Sequence, residues 1–346
     1  MEEQLSDALR NELIRSVQAG VPLVDRPFAE IAGKLGLGEE GESAVRAQLE
    51  RLSEEEVLRE ISAVLEGSVL GYDSALVAGV VPGASLERVV EAVNAHPTVT
   101  HNYLRNHHYN LWFTIAVPPE MKLEKTLELL AGEGGVEAFL PLRRTHTFKI
   151  GVNFDPETLK NSTQAVKPTS VSDIDVSERD ALLFRTLQTP LPFVERPFDA
   201  LAEKASAGGE QVKESELLEF AGRHLGGAIR RYVGTLRHRK LGVRENGMAV
   251  WRVAEKDVEA AGLRLAAAPE VSHCYARNAI EGFPYTLYSM THGPSRESCH
   301  EVARRLSKET GIEDYAVLFS EREFKKLRLR YFLPELDTWW TARACA

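Results

Sequence analysis

The feature that most constrains the fold is a duplication that runs through nearly the whole chain. Three short motifs occur twice in the same order, with offsets of roughly 170 to 172 residues. The pairs are Asp25-Arg-Pro-Phe28 with Glu195-Arg-Pro-Phe198, Leu70-Gly71 with Leu241-Gly242, and His101 with His273. Two diverged copies that keep one internal order normally fold as two similar modules that pack about a pseudo-two-fold axis. We therefore expect a first and a second copy of one plan, paired inside a single polypeptide.

Each copy is expected to begin with helices. In the first copy, apolar residues recur at four-residue spacing over residues 5–17, which predicts a helix with a narrow apolar stripe. Two more helices are predicted over residues 27–35 and 42–52, and a wing is predicted near residues 60–72. Three helices followed by a wing are typical of a winged helix-turn-helix.

A different pattern follows the predicted wing. It predicts a strand over 74–81, a helix over 86–95, a strand through His101, a strand over 111–117, a helix over 123–131 and a strand over 136–142. This βαββαβ order is the ferredoxin-like arrangement. The second copy repeats it, with strands at 248–253, at His273, at 285–290 and at 315–318, and helices at 256–267 and 296–310.

The predicted fold class is α+β, a tandem repeat of winged helix-turn-helix and ferredoxin-like βαββαβ modules. A polar stretch with Pro156 and Pro168 is predicted to link the copies, and Ser177-x-x-Asp180 resembles a capping box that opens the next helix. The tail has no counterpart in the first copy and is expected to cover an edge or a groove. The predicted boundaries are 1–60 and 61–154 for the first two modules, 155–177 for the linker, 178–241 and 242–332 for the second two modules, and 333–346 for the tail.

Charge argues against a DNA reader. The chain of 346 residues has a formal net charge of -9 and a pI of about 5.7, whereas phosphate contacts require clustered Lys and Arg. Between Glu39 and Glu60 there are eight Glu against three Arg, although a DNA-reading third helix should be basic. The helix-turn-helix is therefore expected to be a structural or dimerising module.

The sequence also bounds the cellular setting. No apolar run reaches the roughly 18 to 20 residues of a membrane span, and the start of the chain lacks the features of a signal peptide. Three cysteines without CxxC spacing disfavour a disulfide scaffold and structural zinc. A cytoplasmic protein without a membrane partner is expected.

The candidate site is a His-x-Tyr-x-Arg motif present in both copies. His101, Tyr103 and Arg105 would share one face of a strand, as would His273, Tyr275 and Arg277. Arginine binds carboxylates bidentately and histidine can deliver a proton near neutral pH. The motifs therefore suit carboxylate recognition with proton transfer, although the same residues would equally suit a satisfied polar face between modules.

Other chemistry finds less support. The chain has no HExxH, GxSxG, P-loop or strand-linked GxGxxG motif, so neither a protein-bound metal nor a nucleophilic triad is expected. Cys274 neighbours His273 on a predicted strand and should point the opposite way, into a core. A segment from Arg223 to Lys240 carries six Arg and Lys and two His with no acid, and could hold a polyanionic ligand.

With these motifs in place, the chain resembles the siroheme decarboxylases, an Lrp/AsnC-like family. The first copy is similar to one family subunit through 70–78 and 101–114, and the second copy resembles the partner subunit through 236–242, 246–251 and 272–277. Both subunit types therefore appear fused as an internal pseudo-heterodimer. Thr100 stands where Ser is expected and Phe283 where Trp is expected, which bears on pocket shape more than on chemistry.

The resemblance implies a substrate, siroheme, whose macrocycle carries eight carboxylates. It implies loss of the carboxyl groups of two acetate arms in alternative heme or heme d1 synthesis, with no cofactor beyond the iron of siroheme. Catalytic roles are hypothesised for His101, His107, His238 and His273. Substrate-binding roles are hypothesised for Tyr103, Arg105, His108, Tyr109, Trp112, Arg237, Arg239, Met248, Tyr275, Arg277 and Tyr285.

Two other functions use the same residues. A ligand-sensing transcription regulator of the Lrp/AsnC type would bind an effector in the βαββαβ modules, but the acidic first helix-turn-helix disfavours it. A tetrapyrrole carrier would keep the binding residues and need no proton donor. Neither a DNA partner nor a membrane is expected, and a further homodimer is possible.

Overall fold

A computed structural model describes residues 6–38, 41–154, 161–164, 174–237 and 245–344, with the backbone alone for 151–154 and 161–164. The chain forms two compact units. The first, here called the helical unit, comprises Met1–Leu70, Val152–Ser162 and Val171–Gly242. The second, here called the sheet unit, comprises Gly71–Gly151, Thr163–Ser170 and Val243–Ala346. The predicted boundaries between the four modules stay predictions.

The helical unit contains the first part of both copies. Each part has three helices and one strand: α1 Asp7–Ala19, α2 Pro27–Lys34, α3 Gly41–Glu54 and β1 Leu58–Leu65, then α6 Glu178–Leu187, α7 Pro197–Ser206, α8 Glu214–His224 and β7 Ile229–Leu236. The expected helices are all present. The wing is different, because β1 is a single strand that pairs antiparallel with β7 of the other copy. The two copies thus complete one ribbon together.

The repeated Arg-Pro-Phe motif has the same structure in both copies. Pro27 and Pro197 occupy the first helical turn, where a missing N–H costs nothing. The arginine before each proline forms an ion pair with a glutamate of the next helix, Arg26 with Glu42 and Arg196 with Glu214. The duplication inferred from the sequence is therefore confirmed at the level of side-chain contacts.

The capping box at the start of the second copy is also confirmed. The Ser177 hydroxyl accepts from the backbone N–H of Asp180, and the Asp180 carboxylate accepts from the backbone N–H of Ser177. These bonds satisfy two N–H groups that α6 would leave unpaired.

The sheet unit contains two βαββαβ modules, as expected. The first module has β2 Asp73–Gly79, α4 Leu86–Ala95, β3 His101–Arg105, β4 Leu111–Val117, α5 Leu123–Gly134 and β5 Phe139–Phe154. The second has β8 Glu245–Trp251, α9 Val258–Ala267, β9 Val271–Arg277, β10 Leu287–Gly293, α10 Arg296–Thr310 and β11 Tyr315–Lys326. Within the described residues, no helix is both long and apolar enough to cross a membrane.

The two modules share one closed ring of eight strands. The strands follow in the order β2, β4, β3, β11, β8, β10, β9 and β5, and β5 also pairs with β2. Closure depends on β5 and β11, which are longer than the sequence indicated. The first part of β5 pairs with β2 and its later part with β9, while the later part of β11 pairs with β3. A short strand β6, Asn161–Gln164, lies in the segment predicted as a linker.

Three apolar clusters stabilise the sheet unit. One lies under α4 and α5 and one under α9 and α10. The third lines the inner face of the ring and includes Trp112, Leu142, Met248, Tyr288 and Leu318. The inner face is therefore apolar at its centre, and any polar group on it meets a low dielectric.

The predicted tail forms α11, Pro334–Ala344, and packs on the core of the first module. Its Trp339 lies against His96, with ring centroids 4.4 Å apart. Burial, followed by the charges of Lys325 and Arg343, lowers the pKa of His96 to about 3. The ring is thus held neutral in the folded chain.

Replacing His96 by asparagine is expected to flatten the acid side of the stability curve. Because the pKa of His96 lies near 3 in the folded state and near 6.5 when unfolded, its contribution is complete above pH 6.5 and is lost as the pH falls toward 3. Wild type should lose about 1.4 kcal/mol of unfolding free energy per pH unit from this group in that window. Urea unfolding at several pH values measures the slope. The exposed His108→Asn is the control, and an unchanged slope in His96→Asn would contradict the assignment.

Candidate functional site

Strands β3 and β9 present the His-Tyr-Arg motif in the same geometry. Asn102 bonds Asn94 of α4, and Cys274 lies in the core under α9, so the motif side chains face the inner side of the ring. The ring centroids of His101 and Tyr103 are 6.2 Å apart at 39°. Those of His273 and Tyr275 are 6.0 Å apart at 41°. The shared face predicted from the sequence is confirmed in both copies.

The two motif arginines lie on the inner face of the ring, where Arg105 is buried and Arg277 is half-buried. Arg105 and Arg277 lie 5.5 Å and 5.6 Å from the ring centres of Tyr103 and Tyr275. Each Nη1 donates to a backbone carbonyl of a strand from the other module, at 3.0 Å to Leu318 and 2.8 Å to Leu142 respectively.

Burial lowers the pKa of both guanidinium groups to about 10, and neither Nε has a hydrogen-bond partner among the described residues. Within the described residues neither arginine pairs with a carboxylate. A buried, uncompensated guanidinium is costly, and a bound carboxylate would supply the missing acceptors.

The histidines are supported differently in the two copies. His101 Nδ1 lies 3.0 Å from the Thr100 hydroxyl, which lies 3.1 Å from the Thr114 hydroxyl. In the second copy, His273 Nδ1 lies 2.8 Å from the Ser272 hydroxyl, which lies 2.5 Å from His292 Nε2. His292 Nδ1 in turn contacts Asn246 Oδ1. The second motif histidine is therefore linked to another titratable group.

An aromatic cluster joins the loops that follow β3 and β9. Phe283 has its ring centroid 5.3 Å from Trp112, 5.8 Å from Tyr109 and 4.9 Å from Tyr285. Trp112 is fully buried and its indole N–H donates to the Tyr109 carbonyl, while the Tyr109 hydroxyl donates to the Glu281 carbonyl. The polar atoms of Tyr109 and Trp112 are thus already satisfied, and these two side chains shape the inner face.

His107 lies at the edge of this cluster. Its ring is 5.3 Å from Phe283, and its Nδ1 accepts from the backbone N–H of Tyr109 at 3.1 Å. Burial, followed by the nearby His108, lowers the pKa of His107. Since Nδ1 accepts, the neutral ring carries its proton on Nε2 and is a hydrogen-bond donor at neutral pH.

The remaining predicted site residues are scattered. Met248 is buried on the inner face of the ring, Tyr285 is half-buried with a pKa raised mainly by burial, and His108 is exposed. Arg237 belongs to the helical unit, where it pairs with Glu56 at 3.2 Å. His238 and Arg239 lie outside the described residues. In the described part of the basic stretch, at least Arg237 is therefore paired with an acid.

Four residues near the second motif were not predicted. Arg144 of β5 and Tyr288 of β10 flank Tyr275 and Arg277, and His292 and Asn246 extend the contact to His273. Tyr288 and His292 lie two residues to either side of Met290, on one strand face. The two-residue spacing of these side chains can be seen in the sequence once the bounds of β10 are known.

Two expectations about side chains that are often reactive can be compared with the structure. Cys274 is fully buried, as expected for a core residue, and burial raises its pKa to about 12. Among residues that the structure describes, no group of three or more His, Cys, Asp and Glu is arranged to hold a metal ion. The polar side chains of the two motifs on the inner face are arginine, histidine and tyrosine.

Comparison with protein families matches two domain types. Residues 69–149 and 240–325 match the AsnC-like ligand binding domain. Residues 10–59 match the siroheme decarboxylase NirDL-like HTH domain. The repeated ligand-binding domain corresponds to the two βαββαβ modules.

Full-length relatives carry one name. The siroheme decarboxylase of Hydrogenobacter thermophilus is 38% identical over 332 residues, which cover 95% of this chain and 97% of that protein. The crystal structure of the siroheme decarboxylase NirDL in complex with an iron-uroporphyrin III analogue has a TM-score of 0.79 at 33% identity, covering 97% of this chain and 99% of that one. The siroheme decarboxylase beta subunit of Methanosarcina barkeri is 36% identical and covers 45% of this chain and 99% of its own length. One such subunit therefore corresponds to about half of this chain.

Proposed function

The chain belongs to the siroheme decarboxylase family as a fusion of both subunit types, and we propose that its two His-Tyr-Arg strands act directly on siroheme. It removes the carboxyl groups of two acetate side chains and yields didecarboxysiroheme. The observation that carries this assignment is the pair of arginines Arg105 and Arg277, whose buried Nε atoms have no hydrogen-bond partner among the described residues and no described acid beside them. A flat polycarboxylate is the kind of ligand that such a pair recognises.

The arginines act as carboxylate anchors. Each is pre-positioned by a hydrogen bond to a neighbouring strand and by the face of a tyrosine ring, so little freedom is lost when a carboxylate binds. The surrounding apolar side chains strengthen the ion pair by excluding water. Arg144, whose guanidinium lies 6.0 Å from the Tyr275 ring centre, adds a further positive charge beside the second motif.

The histidines supply the proton that decarboxylation requires. As the bond between the acetate methylene and its carboxyl carbon breaks, CO2 leaves and the electron pair remains on the methylene carbon, from which it spreads into the conjugated macrocycle. A histidine N–H then protonates that carbon to a methyl group. His273 and His101 are the proposed donors, and His107 is proposed as a hydrogen-bond donor in its neutral form.

The aromatic residues shape the space for the macrocycle. Tyr103, Tyr275, Tyr285 and Met248 would contact its faces and edges, with Tyr109 and Trp112 as fixed support behind them. His108 is proposed as a contact at the rim. Peripheral carboxylates of the substrate are proposed to bind His238, Arg237 and Arg239. Arg237 would exchange its ion pair with Glu56 for one with the substrate.

Several wider assignments accompany the proposal. The product enters alternative heme or heme d1 synthesis in the cytoplasm, and no cofactor is needed beyond the iron of the substrate. The helical unit serves assembly rather than DNA binding, since Glu42 and Glu214 compensate its exposed arginines Arg26 and Arg196. Further pairing of whole chains is compatible with the internal pseudo-heterodimer.

Anaerobic incubation of the purified protein with siroheme tests the proposal. Mass spectrometry of the extracted tetrapyrrole is expected to show the loss of two CO2 units, through a species that has lost one. Siroheme that binds but stays unchanged would instead indicate a carrier or a sensor, and siroheme that does not bind would refute the assignment of the arginines.

A further inference from the structure

The two motif histidines differ in what lies behind them. The contacts of His101 include the Thr100 hydroxyl, which in turn contacts the hydroxyl of Thr114, a group that does not titrate near neutral pH. The contact chain from His273 continues through Ser272 to His292, an imidazole, and from there to the side chain of Asn246. His292 and Asn246 lie on adjacent strands, directly opposite each other in the β8 and β10 register. The position of His292 is therefore fixed by the pairing of β10 with β8 as well as by its side-chain contacts.

The contacts define one consistent direction for the protons. With the Asn246 Oδ1 as acceptor, His292 donates from Nδ1. A doubly protonated His292 then donates from Nε2 to the Ser272 hydroxyl, whose own proton points to His273 Nδ1. His273 is left with its proton on Nε2, the nitrogen on the side away from Ser272. This tautomer is the one that a proton donor to the substrate requires.

We propose that His292, held by Asn246, supplies a proton to His273 Nδ1 through Ser272 while His273 Nε2 protonates the substrate. This inference rests on the proposed decarboxylation. Each CO2 that leaves removes no proton, so each new methyl group takes up one proton from solvent. His292 is half-buried near the end of β10 and can exchange protons with water, whereas His273 faces the bound macrocycle.

The relay balances in protons and electrons. His273 Nε2–H transfers its proton to the methylene carbon that holds the electron pair. The Ser272 hydroxyl passes its proton to His273 Nδ1, and His292 Nε2–H restores the hydroxyl. His292 ends neutral with its proton on Nδ1, still donating to Asn246, and His273 ends neutral with its proton on Nδ1. When a solvent proton then reaches His273 Nε2, the Nδ1 proton returns through Ser272 to His292 Nε2 and both histidines regain their starting forms. His292 and Asn246 are thus positioning residues that act through His273 rather than on the substrate.

Two substitutions at one position separate proton transfer from simple support. His292→Gln keeps a polar atom at the position of Nε2 but cannot carry a proton, and His292→Phe removes the polar contact. The full-length wild type and variants are incubated anaerobically with siroheme, kcat is measured by chromatography of the products, and Kd is measured by Soret titration. The exposed His300→Gln on α10 is the matched control. Asn246→Leu gives an independent break in the chain if either His292 variant folds poorly.

Both His292 variants are expected to lose at least about tenfold in kcat, less than the roughly 10² to 10⁴ of a general acid because His273 stays in place, with Kd within about threefold of wild type. Full turnover in His292→Gln together with loss in His292→Phe would reduce the chain to a support and overturn the relay. Full turnover in both, or a Kd raised in parallel with the loss of kcat, would overturn it as well. Failure of wild type itself to release CO2 would instead refute the proposed function.

Discussion

Replacing Arg277 by methionine is expected to abolish siroheme turnover while leaving the folded chain at least as stable as wild type. Methionine fills a similar volume and removes the charge of a half-buried guanidinium whose Nε is buried and has no hydrogen-bond partner among the described residues. Substitution of a buried charged group by an apolar one is often neutral or stabilising by about 1 to 4 kcal/mol. The lost hydrogen bond to the Leu142 carbonyl offsets about 1 kcal/mol of that gain.

The functional loss should be large because a desolvated charge pair with the substrate disappears. Loss of one partner of such a pair costs about 2 to 5 kcal/mol, so the affinity for siroheme should fall at least about 30-fold. Thermal or urea unfolding measures the stability, and Soret titration measures the affinity. This divergence between stability and binding is the signature of a residue kept for its ligand.

Arg252→Met provides the matched control. Arg252 lies in the same module, but it is exposed and pairs with Asp314 at 3.3 Å. Its replacement should leave affinity unchanged and stability within about 0.5 kcal/mol of wild type. If Arg277→Met were instead strongly destabilised and still bound siroheme normally, Arg277 would be a structural residue and the carboxylate assignment would be wrong.

The duplication predicted from the sequence accounts for much of the fold. Pro27 and Pro197 start equivalent helices, and the alternation in the two His-Tyr-Arg strands places equivalent rings at nearly equal distances and angles. These features depend on local chemistry and on the period of two in a strand. The helix starts and the strand faces can therefore be predicted from one copy of each motif.

The closure of the ring was not readable from the sequence. Strand β5 was predicted to end near residue 142, because its later residues lack a clean apolar alternation. They form a strand because they pair with β9, a strand some 130 residues away in the chain. The pairing of the predicted wing was not visible for the same reason, since the partner of strand β1 is supplied by the other copy. Pairing across a long sequence separation leaves little trace in local composition.

The candidate site shows the same difference between local patterns and long-range pairing. Residues inside the motif were predicted, whereas Asn246, His292 and Arg144 reach it from neighbouring strands and carry no motif of their own. Arg237 shows a contact that the basic stretch did not indicate. A basic stretch indicated an anion site, but tertiary contacts give this side chain the Glu56 carboxylate as a partner.

Replacing His273 by asparagine is expected to lower kcat by about 10² to 10⁴, the usual contribution of a positioned general acid. The equivalent His101→Asn should have a smaller effect, because the hydroxyl beside His273 also contacts the imidazole of His292, whereas the hydroxyl beside His101 contacts the Thr114 hydroxyl. Asparagine retains a polar atom near Nδ1 in both variants, so the contacts to Ser272 and Thr100 persist and folding should be preserved.

Time courses of the extracted tetrapyrroles distinguish the two histidines. If His273 serves both arms, His273→Asn slows the loss of the first and the second CO2 alike, and siroheme stays the main species. If each histidine serves one arm, the His101 variant accumulates the singly decarboxylated product while the His273 variant does not. Equal and full turnover in both variants would exclude them as donors and leave His107, whose Nε2–H is available at neutral pH, as the remaining described histidine of the motif positioned to supply a proton.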